Sequence, residues 1–147
     1  MSKLLSLPLL IAAISGISMA VQGTLNSSLS QKTSLISATF AVHLIGTLIS
    51  FIIALAWKVP IFRYHWLEVP WYLYLGGLLS VIIIGLVAVS IPKVGVCNAT
   101  IAIIIGQVSM AVLIDHFGLF GINRLPWSPW QIAGIVLFAA GAKLLFR

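Results

Sequence analysis

The amino-acid sequence predicts an all-α membrane protein, and three observations predict it. Hydrophobic residues make up 61% of the 147, charged residues only 7%, and the apolar residues fall in long runs. A soluble domain carries about a quarter charged residues, so the solvent that suits this chain is lipid. A helix needs roughly 20 apolar residues to cross the hydrocarbon core, because each advances the axis by about 1.5 Å. Five stretches meet or approach that length: residues 4–26, 35–57, 71–91, 95–114 and 130–146. No sixth fits, and a single transmembrane domain over residues 1–147 is expected.

The first span follows Lys3 and carries Pro8 in its first turns, where a helix tolerates proline. Ser18-Met19-Ala20 resembles a small-residue cleavage site, which raises the alternative of a signal peptide. The apolar run is longer than a signal core, and cleavage would discard Gln22 and Asn26, so the segment is read as a retained span. The second span stops at Lys58 and Pro60, the third lies between Pro70 and Pro92, and the fifth follows Pro126 and Pro129. Proline between spans is read as punctuation. The connections, 27–34, 58–70, 92–94 and 115–129, leave no room for a soluble domain, so function is expected from the helices or from a partner.

The eight Lys and Arg face two acids, Glu68 and Asp115, an excess of +6. Nucleic acid is excluded as a partner, because a phosphate-binding surface needs clustered cations and these stand singly between apolar runs. They read as topology determinants and as contacts to membrane lipid. Cytoplasmic loops normally hold the excess of Lys and Arg, which orients the chain. Alternating spans put Lys3, Lys58, Arg63 and Arg124 on one side and Lys32, Lys93, Lys143 and Arg147 on the other, four against four. With no bias, dual topology is expected: oppositely inserted copies pair as an antiparallel homodimer about an axis in the membrane plane. The alternative is one orientation set by a separate partner, such as a paralogous sister chain. Trp57, Trp66, Trp71, Trp127 and Trp130, with Tyr64, Tyr72 and Tyr74, all fall on the N-terminal side. An antiparallel pair would give both leaflets the usual aromatic belt.

Cys97 is the only cysteine, so an intrachain disulfide and a thiolate metal cluster are excluded. His43, His65 and His116 lie in separate segments without metal-ligand spacing, and neither a metal nor another cofactor is expected.

A polar side chain at depth in lipid must face other helices or a watery cavity. Ser15, Gln22 and Asn26 share one stripe of the first span, and Thr39, His43, Thr47 and Ser50 one stripe of the second. Thr100, Gln107, Ala111 and Asp115 share a face of the fourth, with Asn98 near its entrance. One reading is that the stripes converge on a polar cavity where Gln22, Asn26, His43, Thr47, Asn98, Gln107 and Asp115 bind a small-molecule substrate. The other is interhelical glue, which contributes only about 0.6 kcal/mol per bond. Ser and Thr favour the second reading, since a hydroxyl satisfies itself on the backbone one turn back. An amide has more donors and acceptors than one neighbour usually meets. His43 suits proton coupling near neutral pH, or equally a neutral ring bonded to Gln or Ser. Asp115 either faces the cavity or turns the chain before Gly118 and pairs with His116 or Arg124. Gly134 and Gly141, seven apart, give the last helix a smooth face for a dimer contact.

Ile91-Pro92-Lys93-Val94-Gly95, Gly106-Gln107 and Ile114-Asp115-His116-Phe117-Gly118-Leu119 together resemble the YdcZ-type branch of the drug/metabolite transporter superfamily. Pro70-Trp71 before Gly76-Gly77, and the closing helix with Gly134 and Gly141, are similar to the same family. The resemblance covers nearly the whole chain. It implies a five-helix half of a ten-helix inverted-repeat transporter fold, in which the first four helices build the pocket and the last contributes to dimer contacts. The membrane-embedded Glu on which the small multidrug exporters of the superfamily depend is missing from this first helix, so their exchange of protons for lipophilic cations is not expected.

The expected function is therefore a transporter subunit working by alternating access, moving a small polar metabolite or drug-like solute across a bacterial inner membrane. A small channel and a non-transporting scaffold subunit are the alternatives. An enzyme is not expected, because no nucleophile elbow, paired carboxylates or phosphate loop accompanies the Ser, His and Asp residues.

Overall fold

Hydrocarbon offers no partner to a backbone N–H or C=O, so a spanning segment must bond within itself, and helix is the form that does so. The structure, a computed structural model, describes residues 3–63 and 66–145, with side chains from Leu7 onward. Tyr64, His65 and Arg147 of the sequence reading, and the side chain of Lys3, lie outside the described set. Every regular element among the described residues is helical: α1 Lys3–Lys32, α2 Leu35–Ala56, α3 Leu75–Val94, α4 Val96–Phe117 and α5 Pro129–Leu145. Short 3-10 turns occupy Ile61–Arg63, Trp66–Glu68, Trp71–Tyr74 and Leu119–Gly121. Four helical stretches, Leu7–Lys32, Leu35–Ala56, Trp71–Val94 and Val96–Phe117, are long and apolar enough to span. The fifth helix, with 17 residues, is shorter. Their apolar side chains project outward, with Ile36, Leu86 and Leu137 among the exposed.

Contacts divide the chain into two compact units, Met1–Val89 and Ser90–Arg147. In the first, α1 packs on α2. Burial along α1 is confined to its C-terminal part, where Gly23, Asn26 and Ser27 are buried, while the described residues before Ala20 are exposed. In the second, α4 packs on α5, with Ala99, Ile101 and Ala142 buried.

Two helix ends differ from the sequence reading. Residues 27–34 were expected as a loop, yet α1 runs to Lys32 and only Thr33 and Ser34 separate it from α2. The serines that suggested a loop turn their hydroxyls onto the helix: Ser30 Oγ donates to the Ser27 carbonyl at 2.8 Å, and Thr33 Oγ1 to the Leu29 carbonyl at 2.9 Å. Ser34 then caps α2, its Oγ accepting from the Ser37 N–H at 3.1 Å.

The second difference is Pro92, expected between spans and found inside α3. Proline has no N–H, so the carbonyl four residues earlier, that of Ala88, loses its helical partner. Ser27 of α1 supplies the replacement, its Oγ donating to the Ala88 carbonyl at 3.3 Å, with Ser27 1% and Ala88 3% exposed. A hydroxyl from a neighbouring helix thus lets α3 continue through its proline. Helix α3 stops instead at Gly95, whose φ of 83° a side chain would strain, and α4 begins one residue later. Pro129 likewise is not punctuation but the first residue of α5, where its missing N–H costs nothing. Gln131 Oε1 accepts from the Ser128 N–H at 2.9 Å, which closes that helix start as the second half of a capping box does.

Ser27→Ala is expected to cost about 1–3 kcal/mol, the penalty of a buried carbonyl left without a donor. Pro92→Ala restores an N–H to that carbonyl, so in its background Ser27→Ala should lose most of its cost. Unfolding of the purified protein in detergent, read as a double-mutant cycle, checks this. An equal cost in both backgrounds would contradict the compensation.

Candidate functional site

The polar residues of the spans separate by the kind of hydrogen-bonding group they carry. Hydroxyls bond back onto their own helix: Ser18 to the Ile14 carbonyl at 3.1 Å, Thr24 to Ala20 at 2.9 Å, Thr39 to Leu35 at 2.8 Å, Ser50 to Thr47 at 2.9 Å and Ser109 to Ile105 at 2.8 Å. These groups are satisfied locally and are free of any obligation to a ligand.

The amides are not. Among the described residues, the side chains of Gln22, Asn26, Asn98 and Gln107 have no hydrogen-bond partner. Gln22 and Gln107 are exposed and Asn98 is half-buried. Asn26 is 7% exposed, yet its amide atoms are not sealed off, since no buried side-chain N or O lacks a partner. Its amide therefore opens onto the little free surface the residue keeps. The four belong to two units, Gln22 and Asn26 to the first, Asn98 and Gln107 to the second.

His43 is the one candidate whose side chain is tied to another helix. It lies near the middle of α2, half-buried, with Nδ1 2.7 Å from the Thr39 carbonyl and Nε2 2.8 Å from Ser80 Oγ of α3. Ser80 Oγ is also 2.7 Å from the Gly77 carbonyl. Thr47, one turn further along the same stripe, is exposed. Ser80 was missed in the sequence, although it carries a visible signal: it is the only polar side chain between Leu75 and Val89.

Asp115 lies in the last turn of α4, not in the connection after it, and among the described residues its carboxylate makes no ion pair with His116 or Arg124. Its carbonyl is the participant. Gly118, at φ 63°, turns the chain back over the helix end, and a Cβ there would lie 3.1 Å from the Ile122 carbonyl oxygen. The returning segment brings donors to carbonyls that the helix leaves bare. The Leu125 N–H reaches the Asp115 carbonyl at 2.7 Å, Arg124 Nε the His116 carbonyl at 2.9 Å, and the Gly118 N–H the Ile114 carbonyl. A guanidinium at this terminus also complements the helix dipole. His116 meets the rings of Phe117 and Trp127 edge-on at 4.8 and 6.5 Å. The Asp-His-Phe-Gly-Leu run is thus a helix-end clasp.

Among the described residues none packs closely on Gly134 or Gly141, where an added Cβ would meet no atom within 4 Å. Gly134 is exposed, while Gly141 is half-buried beside the buried Ala142.

Four helices long and apolar enough to span, with a shorter fifth, mark a multi-pass membrane protein. A family profile described as "Putative inner membrane exporter, YdcZ" matches residues 7–144, nearly the full chain. The chain belongs to this family, and is accordingly a bacterial inner-membrane protein of the transporter class. No match was found among curated proteins or among solved structures.

Arg124→Met removes the side-chain cap of α4 and is expected to cost about 1 kcal/mol. Asp115→Asn keeps the carbonyl that the clasp uses and should stay within about 0.5 kcal/mol of wild type. Thermal unfolding in detergent checks both, and a larger loss for Asp115→Asn would return the carboxylate to a structural role.

Proposed function

We propose that the chain is one subunit of an exporter that moves a small polar metabolite or drug-like solute by alternating access, as an antiparallel homodimer of oppositely inserted copies. The observation that carries this reading is the set of four unpaired amides, Gln22, Asn26, Asn98 and Gln107. An amide facing hydrocarbon without a partner costs on the order of 2–7 kcal/mol, so these groups call for water, a solute or a second subunit. A solute with hydroxyl, amide or carboxyl groups meets that need, and meets it reversibly. A single copy is half of the ten-helix arrangement, and the four-against-four cation balance supports assembling the other half from a second copy inserted the opposite way. The room for a side chain at Gly134 and Gly141 of α5 suits a close contact between copies.

A thermal-shift screen of a metabolite panel on the purified protein tests the binding claim, because a ligand of the native state raises its apparent stability by about 2.7 kcal/mol at a hundredfold excess over Kd. The shift should vanish in Gln107→Ala or in Asn26→Ala, according to which unit holds the solute, and the same solute should exchange in liposome counterflow. A shift that survives both substitutions would remove the amides from the site, and flux without saturation or exchange would mark a channel.

Insertion is tested by labelling Thr33→Cys, in a Cys97→Ser background, with an impermeant maleimide on sealed vesicles. Roughly half of the copies should react from each face when the charge bias is zero. Labelling from one face alone would refute dual topology.

A further inference from the structure

The bonds around His43 carry an inference that rests on the transporter reading and reaches beyond it. The Thr39 carbonyl can only accept, so the nitrogen 2.7 Å from it, Nδ1, must carry a proton in every state of the ring. That leaves Nε2 as the nitrogen whose state can change, and its neighbour at 2.8 Å is the Ser80 hydroxyl. This hydroxyl has one proton and two positions for it, on Nε2 or on the Gly77 carbonyl at 2.7 Å. With the ring neutral, Ser80 donates to Nε2. With the ring charged, Nε2 donates to Ser80 Oγ, and the hydroxyl turns its proton to the Gly77 carbonyl. Neither state leaves a polar atom without a partner. The Gly77 carbonyl is not stranded when the hydroxyl turns away, because as a helix carbonyl it has the N–H of the following turn.

We propose that His43 and Ser80 form a proton-binding site inside the membrane span, with rotation of the Ser80 hydroxyl accommodating the arrival and departure of one proton at His43 Nε2. The step is a proton transfer from water to Nε2 and back, with no other bond broken. A cation at this depth is costly unless it is hydrogen-bonded, and here both of its N–H groups find acceptors without movement of either helix. Few charges accompany the ring on the helices of its own unit. Helix α2 has no other titratable residue, α3 has only Lys93 in its last turn, and those of α1, Lys3 and Lys32, are at its ends. Tyr74, ahead of α3, is tied to the Trp66 carbonyl at 2.6 Å. Among the described residues none of these groups bonds to the ring.

The test reads the ring nitrogens directly, by nitrogen-15 NMR of histidine-labelled full-length protein in lipid nanodiscs, with His43→Gln identifying the signals by their loss. In alkaline solution the signals should show the proton on Nδ1 and a bare Nε2, the tautomer that free histidine disfavours. On acidification Nε2 alone should shift to the protonated position. Ser80→Ala should displace the Nε2 signal in both states, and Ser80→Thr, which keeps the hydroxyl, should return it close to the wild-type position. A neutral ring protonated at Nε2, a ring that never gains its second proton, or an Nε2 signal indifferent to Ser80→Ala would each overturn the proposal. The first two are read on wild-type spectra once the signals are assigned, and should His43→Gln not fold, the double variant His65→Gln, His116→Gln, which leaves His43 as the only histidine, assigns them instead. A ring that never titrates in a protein active in counterflow would sink this inference and leave the transporter reading standing. The titration described, in a protein that moves nothing, would do the reverse.

Discussion

In hydrocarbon a backbone carbonyl without a donor has no water to turn to, and the architecture of this protein follows from that constraint. It makes every span a helix, and it decides what happens where the sequence interrupts one. Pro92 removes a donor from the interior of α3, and Ser27, buried on another helix, supplies one to the carbonyl left behind. The end of α4 obeys the same rule by different means, since Leu125 and Arg124 are folded back to meet its last carbonyls. In both places the residues a motif search would single out serve the backbone before they serve any ligand.

The same rule sorts the side chains. A hydroxyl on a helix always has a carbonyl one turn back within reach, so Ser and Thr are inexpensive at depth and say little about function. An amide finds such a partner only near a helix end or beside a hydroxyl, as Gln131 and Gln31 do, and His43 reaches one carbonyl of its own helix. Gln22, Asn26, Asn98 and Gln107 therefore remain open in the lone chain, while His43 spans to the next helix for its second bond. The difference between these classes, more than their positions along the stripes, separates residues available to a solute from residues already employed.

The spans themselves were legible in the sequence, because hydropathy over some twenty residues averages away local detail. Their ends were not. The run Ser27, Ser28, Ser30 looks like a loop by composition, yet a serine can donate to its own helix as readily as to water, so α1 persists to Lys32. Pro92 reads as a stop unless a donor elsewhere fills its vacancy, and that donor lies sixty-one residues away from Ala88 in the chain. Of the site, the polar faces could be drawn from helical periodicity alone. Ser80 could not be paired with His43, and Asp115 could not be assigned its carbonyl role, because both depend on which segments meet in space.

The brevity of the connection between α1 and α2 bears on how the protein is made. Two residues, Thr33 and Ser34, leave no slack by which one helix could settle across the bilayer and wait for the other. Once both are helical, the pair forms a tight hairpin whose tip bears Lys32. Orientation is then decided once for both helices during biogenesis, and a later span cannot invert one without the other.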